Sequence, residues 1–253
     1  RKHPGDTILA YKLFCDKIGP EKAKKCALVM KTEITSDHGT DLRAVRDALC
    51  DTSYMNVFFN QERLTPEQMN MLYNVADVTC LMSSNEGWGL ALTESMMTGT
   101  MIIPNVTGGM QDQCRFEDDN GEWIDFDADF PSNHRGTYKK HGEWALPVWP
   151  TNMALMGSPL TPYIFDDRAR PEDVADRIKE AYDLGPTKRS EKGIKGREWA
   201  MSEEAMMTAK SMGNRCIEVM EKGFKNFTPR TEFDIVKADE YKKPKVTHKI
   251  TGY

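Results

Sequence analysis

The chain has 253 residues and a formal net charge of −5, from 34 Lys and Arg against 39 Asp and Glu. That length can bury a full core as one large or two small domains. The acidic balance gives no electrostatic case for nucleic acid or an anionic membrane surface as the main partner, and no apolar run reaches the roughly 18 residues of a membrane span.

The first stretch, "RKHPGDTILAYKLF", has no initiator methionine and no signal peptide, and reads as the later part of a longer protein. Ile8, Leu9, Phe14 and Ile18 fall at helical spacing, with Asp6 as the N-cap. "CALVM" (26–30) reads as a buried strand, "DLRAVRDALC" (41–50) as a helix and "MNVFF" (55–59) as a strand. A helix follows from Pro66, with Thr65 and Gln68 placed for a capping box. "DVTCLMS" (77–83) is a strand, "LALTESMMT" (90–98) a helix and "TMIIP" (100–104) a strand.

Strands alternating with helices of this length imply βαβ units, hence an α/β, Rossmann-like parallel sheet with helices on both faces. Such sheets bind ligands outside the carboxyl ends of their strands. That rule puts residues 31–36, 60–65, 83–89 and 105–112 on the functional edge.

From 113 to 163 the rhythm breaks into an acidic, Gly- and Pro-punctuated insertion holding three of the five tryptophans (Trp123, Trp144, Trp149), which are expected to pack rather than to stack on a sugar. "RPEDVADRIKEAYDLG" resumes a helix, with Val174, Ile178, Ala181 and Tyr182 on one stripe and Gly185 closing it. Helical stretches follow around 189–201 and 203–223. We read 1–227 as one domain and 228–253 as a polar tail, disordered or laid along another surface.

Several residue types are assigned no chemistry. The six cysteines (Cys15, Cys26, Cys50, Cys80, Cys114, Cys216) show no C-x-x-C spacing and read as free, mostly buried thiols of a reducing, cytoplasmic compartment. The five histidines have no paired ligand spacing, and no metal or other cofactor is expected. The sixteen methionines, among them Met96, Met97, Met206 and Met207, read as core filler.

The chemistry concentrates in "EGWGLALTE". Glutamates at i and i+8 mean little alone, since Glu172 with Glu180 and Glu232 with Glu240 repeat the spacing in solvated contexts. Glu86, however, ends a buried strand, Gly87 and Gly89 let the backbone turn and approach a ligand, and Leu90 opens a helix whose free N–H groups suit a phosphate. Carboxylates are acceptors only, so Glu86 and Glu94 suit sugar hydroxyls. On these residues alone, a nucleotide-sugar site and a Gly-rich turn with a capping acid stand as equal alternatives.

Here the stretch resembles the signature of the retaining glycosyltransferases of the GT-B fold, the family-4-like group with an E-x7-E motif that includes sucrose synthase. "EGWGLALTE", "SMMTGTMIIPNV" and "TGG" stand in register with its pattern. "LTPEQMNMLYNVADVTCLMSS", "RKHPGDTILAYKLF" and "YIFDDRARPEDVADRIKEAYD" resemble its flanking blocks, over about 1–112 and 163–222. The last of these blocks is expected as a loop with an acidic residue leading into a helix.

The resemblance implies the C-terminal, donor-binding half of such an enzyme, with a nucleoside-diphosphate sugar as substrate and an unidentified acceptor. The N-terminal acceptor domain is expected outside this chain, which alone would transfer no sugar. Lys2 would neutralise the diphosphate, while its family partner arginine would precede residue 1. Glu86 would hold the donor hexose, Gly87, Trp88, Gly89 and Leu90 would lie along sugar and diphosphate, and Glu94 would accept from the ribose. Gly108 and Gly109 match a diglycine, although the glutamate that often follows it is replaced in "GGMQDQC". Thr32, Glu33 and Asn60 would line the base. A nucleotide-sugar epimerase or hydrolase, or a non-catalytic interaction module, remain the alternatives.

Overall fold

A computed structural model describes residues 1–36, 39–124, 130–229 and 237–239. Most of the tail from 228, together with His38 and His248, lies outside the described residues. Residues 1–211 make one compact unit, and a second begins at Met212.

The first helix, α1 (Pro4–Ile18), starts earlier than expected: Pro4 occupies its first turn, and His3 caps it in a left-handed conformation at φ 47°. Asp6 is therefore not the N-cap. It lies inside the first turn, where it approaches His3 Nδ1 and Arg168 Nη2, each at 3.5 Å. A single turn, α2 (Pro20–Ala23), leads to β1 (Ala27–Lys31). Then come α3 (Leu42–Leu49) and β2 (Asn56–Asn60), and α3 is capped by Asp41, which accepts from the N–H groups of Arg43 and Ala44.

The capping box of Thr65 and Gln68 opens α4 (Pro66–Val75). After it run β3 (Val78–Leu81), α5 (Leu90–Met97) and β4 (Met101–Pro104). β1 pairs in parallel with β2, and β3 with β4. The α/β reading with parallel strands therefore holds.

The insertion is more ordered than its composition suggests. Ile102 N–H donates to Trp144 O and Leu146 N–H to Ile102 O. Val148 N–H donates to Pro104 O and Val106 N–H to Val148 O, so 144–148 runs beside β4 as a further parallel segment. Trp144 is buried and stacks on Trp199 with centroids 5.0 Å apart, and Trp123 meets the same ring edge-on. These tryptophans pack, as expected.

An antiparallel hairpin, β5 (Asn152–Ser158) with β6 (Thr161–Arg168), occupies the stretch read as a loop. Met153, Leu155, Tyr163 and Phe165 stay substantially exposed on it, so no alternation of buried and exposed positions marks it as strand.

The long helix α6 (Pro171–Ala200) breaks at Gly185, whose φ of 74° and ψ of 166° only glycine adopts readily; Pro186 restarts it. Val174 and Ala181 are buried on its inner stripe. The last helix, α7 (Ala209–Asn226), begins later than expected. Met206 turns the chain at φ 52°, and Thr208 Oγ1 accepts from Ser211 N–H. Met82, Met96, Met101 and Met110 are buried, but Met71, Met153, Met156, Met201, Met206, Met212 and Met220 are exposed, so the methionines are not uniformly core filler.

Three apolar clusters form the core. One gathers Ile8, Phe14, Leu42 and Val57 around β1 and β2. The others hold Met101, Ile103 and Val174, and Leu92, Ile102, Phe116 and Trp144, around β4. β1 with β2 and β3 with β4 form two separate two-stranded sheets packed on these clusters.

Candidate functional site

β3 ends at Leu81, and the chain crosses the rim through 82–89 before Gly89 starts α5 at φ 88°. Arg1 and Lys2 lie along this loop: Arg1 O accepts from Ser84 N–H at 2.9 Å. Lys2 Nζ donates to Glu86 Oε1, and Arg1 Nη1 donates to Glu86 Oε2 at 3.2 Å and to Asn85 O at 3.0 Å. Glu86 is buried, which pushes its pKa up, but the Lys2 hydrogen bond and the charges of Lys2 and Arg1 outweigh that and hold it below the ordinary value. The two candidate catalytic residues are thus brought into direct contact across 84 positions of sequence.

The diglycine braces this loop from behind. Gly109 N–H donates to Glu86 O at 3.1 Å. A Cβ on Gly108 would sit 2.3 Å from Glu86 O, and one on Gly109 2.2 Å from Gly87 O. Both glycines are therefore required by backbone-to-backbone approach. Gly87 itself has open space where a Cβ would point, so packing within the chain does not explain it.

Trp88 is held by a bracket. Its Nε1 donates to Thr93 Oγ1, and Thr93 Oγ1 donates to Gln113 Oε1, both at 2.8 Å. Gln113, fully buried, returns its amide to Trp88 O at 2.5 Å. Leu90 is exposed at the first turn of α5. Glu94, a turn further on, is exposed and accepts from Tyr73 Oη at 2.8 Å. At the neighbouring strand ends, Thr32 N–H donates to Asn60 O at 3.1 Å. Asn60 Oδ1 is buried with no hydrogen-bond partner, and Glu33 is exposed.

Sequence reasoning missed a second polar knot. Asp167, on β6, is buried and accepts from Thr107 Oγ1 at 2.7 Å, Asn133 Nδ2 at 2.7 Å and Ser132 Oγ at 3.2 Å. Asn105 Nδ2 donates to Ser83 O and to Asp167 O. The knot ties the hairpin and the insertion to the diglycine. The acidic pair in "YIFDDR" was its only trace in the sequence. Among the described residues no cluster of His, Cys, Asp and Glu could hold a metal ion.

The site thus combines parallel strand ends, a Gly-rich strand-to-helix turn, a buried acid paired with a lysine and a braced diglycine. Residues 55–129 match the family described as Glycosyl transferases group 1. The chain also resembles a glycosyltransferase from Rickettsia africae, at 15% identity and a TM-score of 0.54, over 90% of this chain and 46% of that one. It resembles an alpha,alpha-trehalose-phosphate synthase (UDP-forming) from Burkholderia vietnamiensis at 8% identity and a TM-score of 0.56, over 87% and 42%. A third likeness is the N-terminal domain of trehalose-6-phosphate phosphatase from Candida albicans, at 14% and 0.54, over 88% and 39%. At these identities the likeness shows the fold, that of GT-B enzymes, and the chain spans less than half the length of each. Comparison with curated protein sequences gave no match.

Proposed function

We propose that this chain is the donor-binding half of a retaining glycosyltransferase that moves a sugar from a nucleoside diphosphate to an acceptor. The observation that carries the reading is the contact of Lys2 with Glu86 at the end of β3, in front of the diglycine and beside the N-terminus of α5. Without donor, each charge neutralises the other. A diphosphate offers Lys2 a stronger partner, which frees the Glu86 carboxylate to accept from hexose hydroxyls.

As the glycosidic bond breaks, charge builds on the departing diphosphate. Lys2 and the N–H groups at the start of α5 are positioned to stabilise it. Glu94, oriented by Tyr73, would accept from the ribose, and the unpartnered Asn60 Oδ1 would take a donor group of the base. The family match over 55–129 supports the same assignment. No helix among the described residues is long and apolar enough to cross a membrane. All six cysteines are free, which supports a cytoplasmic setting.

Calorimetry with UDP, GDP and ADP tests the reading: one of the three binds, and Glu94→Ala lowers its affinity about tenfold, as loss of a charge-assisted hydrogen-bond pair would. Absence of binding by all three would leave the fold without this function.

A further inference from the structure

Behind the diglycine, residues 130–135, Thr137, Tyr138 and Met153 of β5 line an open concavity of about 690 Å³. Its composition differs from that of the donor rim. Phe130 and Tyr138, both half-buried, lie with ring planes 23° apart and centroids at 6.1 Å. His134, 5% exposed, is packed at its base among Phe116, Tyr138 and Trp149, and its Nδ1 accepts from Tyr138 N–H. The aromatic wall is therefore rigid.

Arg135 is the unexplained member. Its φ of 48° puts a branched-chain-free but bulky side chain in the left-handed region, which L residues avoid. The turn is enforced by Asn133 Oδ1, which accepts from Arg135 N–H at 2.9 Å, and Asn133 is in turn locked by Asp167. The exposed guanidinium reaches only Met153 Sδ, at 3.9 Å, and no carboxylate among the described residues pairs with it. A cation held in a costly backbone conformation, beside aromatic rings and with no counter-ion among the described residues, fits an external anion.

The wall of the concavity is hydrogen-bonded to the diglycine that braces Glu86. Gly108 N–H donates to Ser132 O at 2.7 Å, Gln111 Nε2 donates to the same oxygen at 2.8 Å, and Gly109 N–H donates to Glu86 O. Ser132 and Glu86 thus brace opposite sides of one diglycine turn.

We propose that this concavity is a second carbohydrate subsite, which takes a pyranose carrying an anionic substituent, its ring against Phe130 and Tyr138 and its phosphate or carboxylate on Arg135. This binding does not rest on the glycosyltransferase reading above.

Calorimetric titration of the chain with glucose 6-phosphate, glucuronate, glucose and inorganic phosphate tests it. At least one of the two anionic sugars binds, which identifies phosphate or carboxylate as the anchor, and glucose and phosphate alone bind at least tenfold more weakly. Arg135→Gly relieves the backbone, so the variant unfolds at the same or a higher temperature, yet it loses the preference for the anionic sugar. Failure of both anionic sugars to bind, or binding unchanged in Arg135→Gly, overturns the proposal. UDP, GDP and ADP, titrated in parallel, separate the two readings. Nucleotide binding without sugar binding sinks this subsite alone, and the converse sinks the donor site alone.

Discussion

Two glycines within reach of Glu86 carry opposite expectations. Gly109→Ala would force a Cβ to within 2.2 Å of Gly87 O, a backbone atom that cannot step aside. A loss of about 1–3 kcal/mol in chemical unfolding is expected. Gly87→Ala meets nothing within 4 Å, so stability should hold to within about 0.5 kcal/mol. If a ligand lies along residue 87, however, nucleotide-sugar affinity falls. Unchanged affinity would show that Gly87 faces no ligand. His134 gives a pH signature. Burial and the charge of Lys139 push its pKa down to about 4 from 6.5. Between those values the unfolded chain takes up a proton that the folded one refuses. Its contribution is therefore fully present above pH 6.5 and is lost as pH falls towards 4, by roughly 3 kcal/mol at most. Denaturation of wild type and His134→Leu at pH 7.5 and 4.5 checks this: the difference between them should shrink at the lower pH. At this scale Gly108 and Gly109 were legible as a diglycine, and the fold requires both through close backbone approach to Glu86 and Gly87. Gln113 was not, since nothing in "MQDQC" distinguishes a buried bracket from a surface amide.

Among the elements, the second half of α6 holds Gly193 and Gly196 in mid-helix, where glycine ordinarily costs about 1 kcal/mol relative to alanine. Their positions explain them. A Cβ at 193 would stand 1.9 Å from Gly99 O, just past the end of α5, and one at 196 would stand 2.7 Å from Trp144 Cβ. The helix thereby approaches both the α5–β4 turn and the insertion's tryptophan. Gly193→Ala should therefore destabilise by about 1–3 kcal/mol in thermal unfolding, against the gain that helix propensity alone would give. A stabilised variant would remove this packing account. The parallel strands were legible as short apolar runs between capped helices. β5, β6 and the 144–148 segment were not, for a physical reason. The hairpin leaves its apolar side chains half in solvent, and 144–148 gains its strand character only by bonding to β4. The start of α1 was misread because His3 caps it through a left-handed backbone rather than a side-chain acceptor.

For the whole molecule, one diglycine turn is hydrogen-bonded both to Glu86, the partner of Lys2, and to Ser132 in the wall of the Arg135 concavity. The rim brings together Lys2, Glu86 and the start of α5, but the proposed transfer also requires the acceptor oxygen to be held over the reacting carbon. The similar Rickettsia africae glycosyltransferase is more than twice as long as the part this chain covers, 46% of its length. Binding and turnover should consequently separate. At a hundredfold excess over its dissociation constant, the preferred nucleotide should stabilise this chain by about 2.7 kcal/mol, visible as a raised unfolding temperature. Incubation of the chain alone with the corresponding nucleotide sugar should release no transferred sugar. At the same ligand concentration the stabilisation should fall to about 1.4 kcal/mol in Glu94→Ala, whereas the absence of turnover should not change. A robust transfer rate by these 253 residues would show that the acceptor oxygen is held within this chain. The concavity at Arg135 would then be the first place to look for it.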